Sequence, residues 1–167
     1  MKKRMIVLLA LLLLGCAASD PNAVFVDPNA VRGGAYGALY FESNGTQFGI
    51  YDETEQVLSN LPEEIAAPYA ETSCAFDGED VVHFFRGFEI TANEIDGVSR
   101  ITAIRVTDDT VKTPQGLCIG MSEPDAAAAF PALAAGEWTL KDGTALLTVG
   151  LRDGEIISIL YSPSDSE

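Results

Sequence analysis

The chain has 167 residues, with 25 acidic side chains against ten lysines and arginines, and a formal charge of −15. A surface of that sign repels nucleic acid and anionic headgroups at long range, so neither is an expected partner and a basic protein is electrostatically favoured. Three cysteines without a CxxC pair, and one histidine, leave too few ligands of the right spacing for a zinc site or a thiol redox centre.

The amino terminus opens with Lys2, Lys3 and Arg4, and ten apolar residues follow from Met5 to Leu14. That run is too short to cross a bilayer, which takes ~20 apolar residues. A charged start, a short apolar core and small residues at its end predict a secretory signal over residues 1–15. Leu13-Leu14-Gly15-Cys16 resembles the lipobox of bacterial lipoproteins. The resemblance implies cleavage before Cys16 and a diacylglycerol on its thiol, with the protein held at the outer face of the cell membrane, or at the outer membrane of a bearer with two. Two acyl chains anchor durably where one is marginal, each buried methylene contributing ~0.8 kcal/mol. Processing would leave seven basic and 25 acidic residues, a charge of −18.

Residues 16–37 carry the unit DPNAV twice, at 20–24 and 27–31. Proline biases its predecessor away from helix, so this region reads as a flexible spacer behind the lipidated cysteine. From residue 38 the signals are those of compact structure. ALYFES and TQFGIY flank Asn44-Gly45, a hairpin signal, and Asp77-Gly78, Asp96-Gly97, Asp142-Gly143 and Asp153-Gly154 supply four more turns. Strand-length runs lie around them at 81–85, 87–91, 100–106, 144–151 and 155–161, and such short connections predict antiparallel meanders.

Two segments read as helices. Residues 52–61 have an acidic first turn and apolar residues at 57, 58 and 61 on one face. Residues 122–130 start on a Ser122 cap, place Pro124 in the first turn and continue in alanines, with Pro62 and Pro131 as stops. A shift of 69 residues lays one segment on the other, matching Ile50 to Ile119, Leu61 to Phe130 and Pro62 to Pro131, while Ile101, Ile104 and Val106 fall on Ile156, Ile159 and Tyr161. The expected architecture is therefore α+β. It has two tandem helix-plus-antiparallel-strand repeats, over residues 38–107 and 108–167 (the second with a short acidic tail), and helices packed on one face of the sheet.

The stretch TPQGLCIGMSEPDAAAAFP (113–131) resembles an element of bacterial envelope lipoproteins related in pattern to β-lactamase inhibitory protein and the assembly lipoprotein BamE. Thr113, Gly116, Ile119, Gly120 and Ser122 match its pattern, while Ala126 and Pro131 depart from it. SCAFDG (73–78) and DDTVKTP (108–114) are similar to segments of uncharacterised lipoproteins of this type. The resemblance implies a tandem αβ repeat whose sheet surface binds another protein. It carries no catalytic residue and no inhibitor contacts.

Little else in the chain suggests chemistry. His83, in VVHFF, lacks a nucleophile motif beside it, and the acids Asp77, Glu79, Asp80, Asp108 and Asp109 are not spaced as a calcium loop. No catalytic residue, metal site or cofactor is expected. Outside the cytoplasm a Cys74–Cys118 disulfide is permitted, with free buried thiols as the alternative. Phe84, Phe85, Phe88, Trp138 and Tyr161 lie on or beside strands, where alternation would turn some outward as binding anchors. The expected function is a lipid-anchored protein-binding module. A structural subunit of an envelope complex is the alternative, and an envelope hydrolase built on His83 or an acid pair is the third reading.

Overall fold

The computed structural model of the protein describes residues 37–135 and 138–164. The signal segment 1–15, the lipid-attachment residue Cys16 and residues 17–36 of the spacer lie outside the described residues.

Turn chemistry builds the hairpins. Asn44-Gly45 joins β1 (Phe41–Ser43) to β2 (Thr46–Phe48), with both residues at positive φ, 52° and 77°. Asp96-Gly97 does the same between β5 (Phe88–Ile95) and β6 (Val98–Val106), and Asp153-Gly154 between β8 (Ala145–Arg152) and β9 (Glu155–Pro163). A two-residue turn with both φ values positive matches the right-handed twist of the strands it joins, which is why Asn-Gly and Asp-Gly occur here.

The remaining strands are β3 (Ala66–Thr72), β4 (Glu79–Phe85) and β7 (Thr139–Asp142). Seven strands form one antiparallel sheet in the order β3-β4-β5-β6-β9-β8-β7. It consists of two meanders, β3 to β6 and β7 to β9, laid side by side. Their seam is three paired positions, Ile104 with Tyr161, Arg105 with Leu160 and Val106 with Ile159.

Register decides which side chains are buried, because residues opposite one another share a face. Phe85, Phe88, Val106, Ile159 and Val149 stand in one row, and Ile90, Ile104, Tyr161 and Leu147 in the next. All nine are at most 3% exposed. The β1–β2 hairpin covers this face through Phe41 and Phe48, whose rings lie 5.5 Å apart, and Phe41 meets Phe88 at 5.0 Å. Val57 of α1 (Thr54–Leu58), Ala126 of α2 (Glu123–Ala129), Phe130 and Leu133 complete a single core cluster. A 3-10 turn over Pro131–Ala135 follows α2. None of the helices in the described residues is long and apolar enough to cross a membrane.

The expected α+β architecture of two tandem helix-plus-strand repeats is overturned. Among the described residues the fold is mostly antiparallel β, nine strands against α-helices of only five and seven residues, and both meanders belong to one sheet. The helices fall short for local reasons. The Ser59 hydroxyl and the Asn60 side-chain amide both donate to the Gln56 carbonyl, at 2.9 and 2.8 Å, competing with the backbone ladder, so α1 ends before Leu61. Pro131 stops α2 as expected. Its start has the predicted cap, with the Asp125 amide donating to the Ser122 hydroxyl.

The two helices enter from similarly built junctions. Tyr51 N–H donates to Ile101 O at 2.8 Å, and Ile101 N–H to Asp52 O at 2.9 Å. Gly120 N–H donates to Ile156 O at 2.8 Å, and Ile156 N–H to Met121 O at 2.9 Å. Each junction pairs with the early part of β6 or β9, ahead of the seam, and so completes the sheet's backbone bonding there.

Candidate functional site: the open face of the sheet

Polar groups tie the cover to the sheet. Gln115 sits under it, its side-chain amide donating to the carbonyls of Ala38, at 2.9 Å, and Tyr40, while its carbonyl oxygen accepts from the Tyr161 hydroxyl. Burial drives the Tyr161 phenol well above its ordinary range, offset only in part by a hydrogen bond with Thr113.

The opposite face carries no layer of described structure. Its central row, one step out of phase with the core, is Phe84, Glu89, Arg105, Leu160 and Thr148. Beside it run Tyr69, Val82, Thr91 and Ala103. Each of these nine is half-buried or exposed, whereas every member of the two core rows is buried. Tyr69 is 57% exposed at the β3 edge, and Ile157, beside the bulge that offsets β8 from β9, is 44% exposed. This open face is a shallow mixed surface: Phe84, Val82 and Leu160 supply apolar contact, with Glu89 and Arg105 opposite one another at its centre.

Of the five aromatics singled out by sequence, Phe85, Phe88 and Tyr161 are core residues, and Phe85 stacks on Phe88 with ring centres 4.9 Å apart. Trp138 packs against the core from its edge. Phe84 alone turns to the open face. Tyr69 was missed by sequence reading, because its strand contains Pro68 and too few β-branched residues to register. The usable signal was the proline itself, which within a sheet is confined to edges and bulges.

The other candidates do not converge. His83 faces the covered side at the β4 edge, its Nδ1 2.7 Å from Glu64 Oε1, and its side chain is only 12% exposed. Asp108 accepts from the backbone amide of Thr110 at 2.8 Å and from its hydroxyl, and these bonds hold its carboxyl below the usual range. Asp52 accepts from the Gly49 amide at 2.8 Å, and Asp142 from that of Ala38. These carboxylates serve loops. Among the described residues no group of three or more His, Cys, Asp or Glu side chains is placed to hold a metal ion. The permitted Cys74–Cys118 disulfide is not formed: Cys74 is a free thiol on the exposed β3–β4 loop, while Cys118 is fully buried.

Comparison of the chain with protein-family models, with curated proteins and with solved structures finds no match to any of them.

Proposed function

We propose that this protein is a lipid-anchored, extracytoplasmic binding module that holds a protein partner on the open face of its sheet, without catalysing a reaction. The observation that carries this reading is that the described residues cover the seven-stranded sheet on one side only. A sheet face bearing Phe84, Val82, Leu160 and an exposed Tyr69 offers aromatic and aliphatic contact area at small conformational cost, the usual chemistry of an interface centre. The excess of carboxylates favours a partner with basic groups and speeds its approach. Cys16 supplies the anchor in this reading, through the lipobox pattern of residues 13–16.

Site-specific photo-crosslinking in intact membranes tests it. A crosslinking residue at position 84 or 160, on the open face, is expected to give one discrete higher-mass product. The same residue at position 56, on exposed α1, is expected to give none. Equal products from all three positions, or none from 84 and 160, would remove the open face as the binding surface.

A further inference from the structure

The sheet has two edges, and they differ. β7 is four residues long and carries Lys141, a residue type that blunts natural edge strands. β3 is seven residues long, and every one of them is exposed. Natural edge strands are usually blunted by lysines, by prolines, by bulges or by covering elements. β3 has no lysine, and its one proline, Pro68, sits at the bulge between Ala66 and Tyr69, leaving Tyr69–Thr72 regular.

The hydrogen-bond phase of that regular part can be read directly. Ser73 N–H donates to Gly78 O at 3.0 Å, and the register continues Thr72 with Glu79, Glu71 with Asp80, Ala70 with Val81 and Tyr69 with Val82. Antiparallel pairs alternate between bonded and non-bonded. Tyr69 and Glu71 therefore spend their backbone groups on β4, while Ala70 and Thr72 direct N–H and C=O outward from the sheet. The same alternation stands the Tyr69 and Glu71 side chains on the open face, beside Val82 and Asp80.

Charge identifies the occupant. From Glu63 to Asp80 the chain holds six carboxylates, Glu63, Glu64, Glu71, Asp77, Glu79 and Asp80, and no lysine or arginine. A second copy of this chain, with a formal charge of −15, would bring its own carboxylates against these. Like charges across a strand pair are destabilising, whereas lysine or arginine opposite Glu71 and beside Asp80 is favourable.

We propose that the Ala70–Thr72 edge of β3 receives an extended, lysine- or arginine-bearing segment of the partner protein as an added antiparallel strand, with that strand's alternate side chains against Tyr69 on the open face. This rests on the open-face reading of function and places the partner's point of entry. Main-chain bonds to Ala70 and Thr72 supply register, and the Tyr69 ring and the carboxylates supply selectivity.

The test uses the full-length chain in detergent and two fluorescent eight-residue peptides, one alternating lysine with valine and one alternating glutamate with valine. The lysine peptide is expected to bind, more weakly as salt rises, and to slow amide exchange over residues 69–73. The glutamate peptide is expected not to bind. Thr72→Pro deletes one outward N–H and is expected to weaken binding about tenfold. If that variant does not fold, Ala70→Pro and Tyr69→Ser carry the same expectation from the neighbouring donor and the ring. Binding unchanged by these substitutions, no binding by the lysine peptide, or equal binding of both peptides overturns the inference. Exchange protection confined to the strands around Leu160 overturns the edge and leaves the open-face reading standing. Sedimentation showing a dimer that Thr72→Pro abolishes assigns the edge to a second copy instead. Crosslinking at positions 84 and 160 decides the open-face reading independently of all these outcomes.

Discussion

Leu146 and Leu147 are adjacent in β8, yet Leu147 is fully buried beside Tyr161, and Leu146 is half-buried on the other side of the sheet, opposite Ser162. One residue step separates the core from the open face. Leu147→Ala is expected to cost about 2–5 kcal/mol, since it removes packed methyl groups and leaves a cavity. Leu146→Ala is expected to stay within about 1 kcal/mol, because that side chain is only half removed from water. Urea midpoints of the two variants measure the difference, and equal losses would mean that both faces are packed.

The His83–Glu64 contact ties the segment entering β3 onto β4, together with the Ile65 amide, which donates to Phe84 O at 2.9 Å. Glu64→Ala is expected to cost about 1–2 kcal/mol, as a partly buried charge-assisted bond is lost. Its distinctive effect should be local: faster amide exchange over residues 63–70, with β5 and β6 unchanged. An unaltered exchange pattern would show that the pair does not hold the edge strand in place.

Tyr161 and Gln115 make a buried pair whose loss should be visible in two ways. Tyr161→Phe leaves the Gln115 carbonyl oxygen without its donor, at a cost of about 1–3 kcal/mol. The phenol also titrates far above its ordinary value of 10.0 in the folded chain, because burial disfavours the phenolate. The unfolded chain then releases that proton first, so stability is full below about pH 10 and declines above it. The decline should be shallower in Tyr161→Phe than in the parent. Parallel stability curves from pH 9 upward would contradict the assignment.

Gly87 and Gly97 share a positive φ, 81° and 75°, but not their surroundings. A Cβ on Gly87 would lie 2.4 Å from the Val111 side chain, whereas Gly97 faces open space. Gly97→Ala is expected to cost about 1 kcal/mol from backbone conformation alone. Gly87→Ala adds steric displacement of the 110–111 loop and should cost at least about twice that. Thermal unfolding of the two variants ranks them, and a Gly87→Ala no worse than Gly97→Ala would mean that this loop moves aside freely.

How far each feature could be read from sequence follows from the range of its cause. Asn44-Gly45, Asp96-Gly97 and Asp153-Gly154 were legible as turns because positive φ is a local requirement that few residues meet. Residues 81–85 and 100–106 were legible as strands from their own β-branched and aromatic composition. The helix at 52–61 was over-read: the acidic first turn and the apolar spacing were visible, but the side-chain bonds of Ser59 and Asn60 to Gln56 that end it early were not. β3 was missed because a fully exposed strand buries no apolar residue and so shows no alternation. With it went Tyr69, and hence the edge of the candidate site.

By itself the sequence determined the hairpin corners, most of the strand segments, the capped start of α2 and the acidic excess, all of which depend on neighbours a few residues away or on composition alone. Only the tertiary structure decided that the two meanders fuse into one sheet through β6 and β9, that among the described residues a short hairpin and two small helices cover just one side of it, and that Phe84 faces outward while Phe85 faces the core. The reason is physical. Antiparallel strands pair through backbone groups that every residue carries, so the choice of partner strand, and with it the face left bare, is set by how distant side chains pack together and not by the local identity of any strand.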